Sequence, residues 1–480
     1  MSADAARAYP EPRLLIGGEW RTRPGAPVLD PSTDAVLGTV PHATPEDLHD
    51  ALAAAGRALR GWRATPPETR AAVLLRAAAL LRERVEPIAT TMALEQGKPL
   101  RDARNEVLRA ASIVEWDAQE ARRLYGRIIP AEPGMRHLVI REPIGVVAAF
   151  SPWNAPVGSP ARKVSGALAA GCTLVLKAAE ETPACATELA RAFVDAGLPA
   201  GALNLVFGDP ETISETLVPH PAVRMVAFTG SVAVGKRLAA LAGAHMKPVL
   251  MELGGHGPVI VCADADPEAV AAAAVAAKSR NAGQICISAT RFLVADPVYE
   301  RFAAAFAERA RAMKVGHPLA PDTEMGPLAN HRRRRAIEAL VDDAVARGAQ
   351  RLAGGGRIGT VGCFLPLTVL ADVPTDARAM QEEPFGPLAL LRPFATIDEA
   401  IALANALPLG LNAYAFTDSA RLVERLTAEL ETGYLSINHF GSSTAAIPFG
   451  GVKDSGHGRE GGAEGVLGYT IAKVVSHLAR

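Results

Sequence analysis

The chain has 480 residues, a hydrophobic fraction of 49%, a charged fraction of 21% and a net charge of −1. This length exceeds what one hydrophobic core normally supports, so we expect two or three domains. The balanced charge argues against a general attraction to nucleic acid or to an anionic membrane, and no apolar run is long enough for a membrane span. Five scattered cysteines without CxxC spacing exclude a disulfide framework and predict no metal site, so we expect a cytoplasmic protein.

Short apolar runs alternate with helical patterns from about residue 145, after a mostly helical region over residues 46–127. The runs "IGVVAAF", "CTLVLKA", "ALNLVFG" and "RMVAFTG" are each followed by an amphipathic helix. Near-continuous apolar strands separated by such helices are typical of a parallel sheet covered on both faces. The pattern predicts a doubly wound α/β domain.

A second α/β unit follows and continues to about residue 430. It begins with "HGPVIVCADAD", and Asp266 and Pro267 have the residue types that begin a helix. The basic run Arg332 to Arg335 opens another helix, where a solvated face is the main interpretation and a phosphate patch the lesser one. The last fifty residues are rich in glycine and end in the strand-like "YTIAKVVSHLA".

Unusual segments follow three strands of the first domain, where ligands bind in such sheets. They are "SPWNAP", "KAAEETP" and "TGSVAVGK". Gly230 and Ser231 open a helix whose backbone N–H groups suit a phosphate, although an ordinary helix cap is the alternative. Glu180 is suited to bind ribose hydroxyls and to repel a 2′-phosphate, which favours NAD over NADP, although an exposed turn glutamate is the alternative.

Cys286 and Glu252 are the candidates for chemistry. Cys286 follows the non-periodic turn "NAGQ", where packing alone has little need of a cysteine, whereas the other four cysteines lie in or beside apolar segments. Glu252 ends the apolar strand "PVLMEL"; burial there raises the pKa of a carboxyl and suits a general base that acts through water. Asn154 supplies an amide donor on a turn, suited to an oxyanion hole.

These segments together resemble the aldehyde dehydrogenase superfamily over nearly the whole chain. The motifs "SPWNAP", "LVLKAAEETP", "FTGSVAVGK", "MELGGHGP", "NAGQICIS", "EEPFGP" and "PFGGVKDSGHGREGG" occur in the order and at the spacing of that family. The resemblance implies an α/β fold with a Rossmann-like NAD-binding domain (1–127 and 147–252), an α/β catalytic domain (253–430) and a small oligomerisation element (128–146 and 431–480). It also implies a homodimer or a homotetramer.

The resemblance assigns roles by motif position. Cys286 is the expected nucleophile, Glu252 the general base, Asn154 the oxyanion donor and Lys163 a proton relay to the glutamate. Glu383 is expected at the nicotinamide ribose. The expected positions that contact NAD, with NADP as the alternative cofactor, are Ser151, Trp153, Asn154, Lys177, Glu180, Gly230, Ser231, Leu253, Glu383 and Phe385.

The motifs are closest to those of NAD-dependent succinate-semialdehyde dehydrogenases. Arg162 and Arg280 match positions that grip the distal carboxylate of the substrate in that subfamily, and Ser443 or Thr444 matches its hydroxyl contact. The alternative for each arginine is a pair with a structural acid. A small semialdehyde acid is therefore the expected substrate, with a broad aliphatic or aromatic aldehyde dehydrogenase as the alternative and a catalytically idle binding protein as the third. His256, beside Glu252, departs from the family pattern.

Overall fold

A computed structural model describes residues 9–441 and 444–479 of the chain. The N-terminal part contains β1 (Leu14–Ile16), β2 (Glu19–Arg21), β3 (Gly25–Leu29), β4 (Val36–Pro41), α1 (Pro45–Ala64), α2 (Pro67–Glu83), α3 (Val85–Gln96), α4 (Leu100–Glu120), β5 (Arg127–Ile129) and β6 (Met135–Pro143). The next part contains β7 (Val146–Phe150), α5 (Gly158–Ala170), β8 (Thr173–Lys177), α6 (Pro183–Asp195), β9 (Leu203–Val206), α7 (Pro210–Leu217), β10 (Val223–Thr229), α8 (Val232–Ala244) and β11 (Val249–Glu252).

The second half of the chain repeats the alternation. It contains β12 (Gly257–Val261), α9 (Pro267–Ser279), β13 (Ala289–Ala295), α10 (Asp296–Ala312), α11 (His331–Ala346), β14 (Gln350–Ala353), β15 (Thr368–Ala371), α12 (Arg378–Gln381), β16 (Leu388–Phe394), α13 (Ile397–Asn405), β17 (Leu409–Gly410), β18 (Asn412–Phe416), α14 (Ala420–Glu429) and β19 (Tyr434–Ile437). The C-terminal part contains β20 (Val452–Lys453), β21 (Gly456–His457), α15 (Gly462–Leu467) and β22 (Thr470–Leu478).

The first large sheet has eight strands in the order β2-β1-β9-β8-β7-β10-β11-β21. Its strands from β9 to β11 are parallel, whereas β1 and β21 pair antiparallel at its two sides. From β7 the chain builds outward through β8 and β9, and then crosses back to add β10 and β11 on the other side. Ligands bind at such a switch point, beyond the carboxyl ends of the strands, and the predicted segments after β7 and β10 both begin there.

The second large sheet has seven strands in the order β14-β15-β16-β13-β12-β18-β19, with β14 alone antiparallel. Each large sheet has its own buried apolar cluster. Asp266 accepts from two backbone N–H groups at the start of α9, with Pro267 as its first residue, which confirms the predicted cap. The two α/β units predicted from the alternation of strands and helices are confirmed.

The C-terminal segment reaches all three parts of the molecule. In the region predicted as the oligomerisation element, β22 pairs with β6 along nine residues and β6 pairs with β5. From the same segment, β19 joins the seven-stranded sheet and β21 joins the eight-stranded sheet. The domain boundaries and the oligomeric state stay predictions. Within the described ranges, no helix is both long enough and apolar enough to cross a membrane.

Candidate active site

A cavity of about 920 Å³ brings together the three residues predicted to carry chemistry. Asn154 reaches it from the loop after β7, Glu252 from the end of β11 and Cys286 from the loop before β13. Residues predicted for the cofactor or the substrate also line it: Trp153, Arg162, Gly230, Ser231, Leu253, Arg280, Glu383 and Phe385. Among the predicted residues within the described ranges, Ser151, Lys163, Lys177, Glu180 and Thr444 do not line it.

Glu252 is a buried carboxyl at the end of an apolar strand. It is 3% exposed, and its Oε1 atom has no hydrogen-bond partner among the described residues. Burial, followed by repulsion from Glu460, raises the pKa of Glu252 to about 8, against attraction from Lys163 and Arg162. A carboxyl with this pKa is matched to accepting a proton from water near neutral or mildly alkaline pH.

Lys163 lies in a buried hydrogen-bond network next to Glu252. Its Nζ atom lies 2.5 Å from Thr229 Oγ1 and 2.5 Å from Glu460 Oε1. Thr229 lies beside Glu252 in the pairing of β10 with β11. Sequence reasoning predicted Lys163 but missed Glu460, which lines the cavity. The available signal was a carboxylate set among glycines in the quoted motif "GHGREGG", where burial requires a partner.

The loop that carries Cys286 is held in an unusual backbone conformation. After α9, Asn281, Ala282 and Gly283 have φ angles of 47°, 51° and 72°, which is left-handed backbone. The hydrogen bonds that hold this turn include one from Gln96 Nε2 to Asn281 Oδ1 at 2.9 Å and one from Gln284 Nε2 to Asn281 O at 3.0 Å. Left-handed non-glycine residues persist only where surrounding structure holds them, and they are frequent at functional sites.

The Asn154 amide is tied to the same loop. Its Nδ2 atom donates to Gln284 O at 3.1 Å, two residues before Cys286. The Asn154 carbonyl oxygen accepts from Lys98 Nζ at 3.0 Å and from Asn281 Nδ2 at 3.1 Å. An amide donor held beside the cysteine is the arrangement that an oxyanion hole requires.

Cys286 as a whole residue is half-buried, whereas the other four cysteines are buried. Burial, followed by repulsion from Glu252 and Glu383, raises the pKa of Cys286 well above the ordinary range of a thiol. The thiol is therefore neutral near pH 7 in the protein alone. Forming the thiolate requires a proton acceptor or a nearby positive charge.

Two aromatic rings and a carboxylate form the other side of the cavity. Trp153 and Phe385 meet edge to face with centroids 5.5 Å apart. Glu383 Oε1 accepts from Gly255 N at 3.1 Å, and burial raises the pKa of Glu383 to about 7. Arg333 lies with its guanidinium 5.9 Å from the Phe385 ring and lines the cavity with Arg332. The prediction that the basic run forms a solvated face is therefore wrong for Arg333, because this side chain of α11 points towards Phe385 in the cavity.

The remaining predicted cofactor residues lie at the ends of β7, β8 and β10. Lys177 Nζ is 2.5 Å from Glu180 Oε1, and Ser151 N donates to Lys177 O at 3.1 Å. Ser231 is exposed and caps α8 by accepting from Val234 N at 3.4 Å. The exposed start of this helix suits a phosphate group.

The predicted substrate arginines share the cavity with Cys286 but differ in their surroundings. Arg162 lies 5.6 Å from the centre of the Phe449 ring. The side chain of Arg280 makes no hydrogen bond or ion pair with any described residue. Among these residues, Arg280 therefore does not pair with a structural acid, which was the alternative to binding the substrate. Thr444 is exposed, and Ser443 lies outside the described residues.

His256 belongs to the core of the second sheet. Its Nε2 atom is 2.9 Å from Ala379 O and its Nδ1 atom is 2.7 Å from Thr290 Oγ1. Because a carbonyl only accepts, Nε2 carries the proton. Burial and the charge of Arg291 hold the pKa of His256 well below its usual value. This departure from the family pattern leaves the histidine neutral and engaged with backbone and threonine rather than with Glu252.

Three potential metal ligands meet outside the cavity. Asp34, His331 and Cys363 each place one ligand atom within 4.8 Å of the others. The two oxygens of Asp34 already bind His331 Nε2 at 2.7 Å and Gly362 N at 2.9 Å. The sequence expectation of no metal site stays a prediction.

Comparison with known proteins identifies the family. The model of the "Aldehyde dehydrogenase family" matches residues 20–475. The chain belongs to the aldehyde dehydrogenase family. It is 46% identical to a 4-(hydroxymethyl)benzenesulfonate dehydrogenase of Comamonas testosteroni, over 98% of this chain and 99% of that protein. It is 40% identical to an NADP(+) succinate-semialdehyde dehydrogenase of Escherichia coli K12, over 96% of each chain. The crystal structure of a succinate-semialdehyde dehydrogenase from Burkholderia pseudomallei superposes with a TM-score of 0.96 at 40% identity, over 98% of each chain.

Members of the aldehyde dehydrogenase family oxidise aldehydes with NAD(P). The residues present fit such a cofactor. An added Cβ atom at Gly254 would collide with the Glu383 carboxylate, so the backbone and Glu383 leave a narrow space there. Lys177 and Glu180 would hold the adenosine ribose, the start of α8 the phosphates, and Glu383 with Phe385 the nicotinamide end.

Proposed function

We propose that this aldehyde dehydrogenase oxidises an aldehyde with an anionic group at its far end, such as succinate semialdehyde, to the carboxylate. The observation that carries the proposal is the position of Arg162 and Arg280 in the cavity of Cys286. Arg280 has no acidic partner among the described residues, and burying part of a cation without a partner is costly unless a ligand supplies one. The guanidinium fork matches the geometry of a carboxylate.

The chemistry follows from the residues around the thiol. The Cys286 thiol gives its proton to Glu252, which passes it on to the buried Lys163–Glu460 pair; the thiolate then attacks the aldehyde carbon, and the Asn154 amide stabilises the oxyanion of the thiohemiacetal. The nicotinamide, when bound, supplies the acceptor for the hydride that leaves this carbon. Glu252 then takes a proton from a water molecule, which hydrolyses the thioester and releases the acid. Lys163 and Glu460 set the charge next to Glu252 and offer a route for the proton.

A second candidate substrate is an aromatic aldehyde with a sulfonate group. It is favoured by the 46% identity to a 4-(hydroxymethyl)benzenesulfonate dehydrogenase, since oxidation of such an alcohol passes through 4-formylbenzenesulfonate. Both candidates carry a fixed negative charge away from the reacting carbon. The two arginines suit the carboxylate of the first candidate and the sulfonate of the second. If neither anionic group raises kcat/KM, the protein is a broad aldehyde dehydrogenase.

For the cofactor we infer NAD. The Glu180 carboxylate follows β8, where it would repel a 2′-phosphate. Lys177 beside it could offer the opposite charge, and the Escherichia coli relative is named for NADP(+). Initial rates with the two cofactors decide between them. We expect kcat/KM to be higher with NAD; a preference for NADP would mean that Lys177 dominates this position.

The test of the substrate class compares succinate semialdehyde with butanal, which has the same carbon count and no charge. We expect kcat/KM to favour the acid about a hundredfold, which corresponds to about 2.7 kcal/mol. Arg280→Met should remove at least tenfold from the acid and leave butanal within about threefold. Arg104→Met is the matched control, because this half-buried arginine pairs with Glu86 and does not line the cavity. Equal losses on both substrates in Arg280→Met would show that Arg280 does not bind the anion.

A further inference from the structure

The short segment that joins α3 to α4 contacts both loops of the active site. Gln96, the last residue of α3, donates to Asn281 in the loop that carries Cys286, at 2.9 Å. Lys98 follows two residues later, and its Nζ atom donates to the backbone oxygen of Asn154 at 3.0 Å. One segment outside the two large sheets therefore binds the loop of the oxyanion donor and the loop of the thiol.

The charge of Lys98 is paired with a carboxylate of α4. Lys98 and Glu106 form an ion pair in which both side chains are buried, and both residues line the cavity. Glu106 Oε1 also accepts from the backbone N–H groups of Val157 at 3.0 Å and Gly158 at 3.1 Å. Gly158 is the first residue of α5, and the first N–H groups of a helix have no partner within it. The carboxylate therefore caps the helix that carries Lys163.

The ion pair binds the loop after β7 at two points. Lys98 binds it at Asn154, and Glu106 binds it where α5 begins. A buried ion pair contributes little net stability, because removing two charges from water costs about as much as their attraction offsets. The effect of this pair is therefore on the position of the loop between its two contacts.

The direction of the Asn154 side chain depends on that position. Its amide group has two hydrogens, and Nδ2 donates to Gln284 O at 3.1 Å. Donation of one hydrogen to Gln284 leaves the other for the oxyanion. A shift of the Asn154 backbone would move this second hydrogen away from the place where the negative charge develops, next to Cys286.

We propose that Lys98 and Glu106 are positioning residues for the reaction and that they fix the Asn154 amide beside Cys286. Both act through the peptide groups that they bind. An oxyanion donor accelerates the reaction only when it is held where the charge develops, and a displacement of about 1 Å can reduce the rate about a hundredfold. The inference rests on the proposed oxyanion role of Asn154 and does not depend on the anionic group of the substrate.

The test is a double-mutant cycle between Lys98→Met and Asn154→Ala. The measured quantity is the first-turnover rate of NADH formation with saturating butanal and NAD. We expect Lys98→Met to lower this rate at least tenfold when Asn154 is present and less than threefold in the Asn154→Ala background, because a contact that acts through an amide has no effect once the amide is absent. The KM for NAD should change less than threefold. Lys98→Arg should recover part of the rate, since it keeps the charge and the donor.

Two further variants complete the cycle. Glu106→Gln keeps an acceptor for the start of α5 but removes the counter-charge of Lys98. We expect it to lower the same rate at least threefold, again only when Asn154 is present, so this variant carries the test if Lys98→Met does not fold. Arg21→Met is the matched control, because it breaks an ion pair with the buried Asp47 away from the cavity. It should lower the midpoint of thermal unfolding without changing the first-turnover rate.

The outcomes separate this inference from the proposed function. Equal losses from Lys98→Met in both backgrounds, or a loss confined to the KM for NAD, would overturn the positioning role. If Asn154→Ala lowers the rate but neither Lys98→Met nor Glu106→Gln does, the proposed function stands and this inference fails. If Asn154→Ala leaves the rate unchanged, the proposed chemistry at Asn154 fails and this inference fails with it.

Discussion

Replacing Gly283 by alanine should damage the active site through the backbone alone. Gly283 lies three residues before Cys286 with φ of 72°, in the left-handed turn that also holds Asn281. An added Cβ atom would lie 2.7 Å from the Gly386 carbonyl carbon and 3.2 Å from Lys278 Nζ. Real Cβ atoms essentially never approach closer than 3.0 Å, so the loop or the Gly386 peptide must move.

The cost has two parts. The left-handed conformation costs an alanine about 1–2 kcal/mol, and forcing an extra methyl group into a packed site costs about 1–3 kcal/mol. Their sum is roughly 2–5 kcal/mol. Because a displacement of about 1 Å at a reacting atom can reduce the rate about a hundredfold, we expect kcat to fall by at least that factor.

Gly197→Ala is the control that separates the two parts. Gly197 also has a left-handed φ of 89°, but an added Cβ atom there meets nothing within 4 Å. The assay is kcat with a fixed aldehyde, together with the midpoint of thermal unfolding, for both variants and the wild type. We expect Gly197→Ala to lose only some stability and to keep its kcat. If Gly283→Ala matches Gly197→Ala in both measurements, the contact with Gly386 does not constrain the Cys286 loop.

Three other measurements follow from the buried groups. Steady-state turnover should rise with pH through about 8, because Glu252 must lose its proton to act as a base. Glu460→Gln should move the midpoint of this profile to lower pH. An unshifted midpoint would count against repulsion between Glu460 and Glu252. Alkylation of Cys286 by iodoacetamide at pH 7 without cofactor should be slower than that of free cysteine, with Cys286→Ser as the blank; a faster reaction would contradict the raised pKa. Glu95→Ala should lower the free energy of unfolding by about 2–4 kcal/mol, because Glu95 accepts hydrogen bonds from Tyr9 Oη and from the backbone N–H groups of Ala184 and Cys185 at the start of α6. Glu95→Gln should cost less. Equal shifts of the thermal midpoint in the two variants would exclude a stabilising role for these hydrogen bonds.

Local sequence patterns were sufficient for much of this protein. The alternation of apolar strands and amphipathic helices after residue 145 predicted both α/β units, because each strand and helix carries its periodicity in its own residues. Cys286, Glu252 and Asn154 were also predicted, since each departs from what packing alone would place at its position. All three line the same cavity.

The groups that tune these residues depend on tertiary structure. Glu460 reaches Lys163 from a segment 297 residues away. Arg333 lies in a basic run whose pattern indicates a solvated face, but the fold places it at the cavity. The raised pKa of Glu252 depends on Glu460 and Lys163, which reach it from separate elements. No periodicity within one segment encodes such distances, so the sequence alone indicated which residue types carry the predicted chemistry, and the fold decided the charge around them.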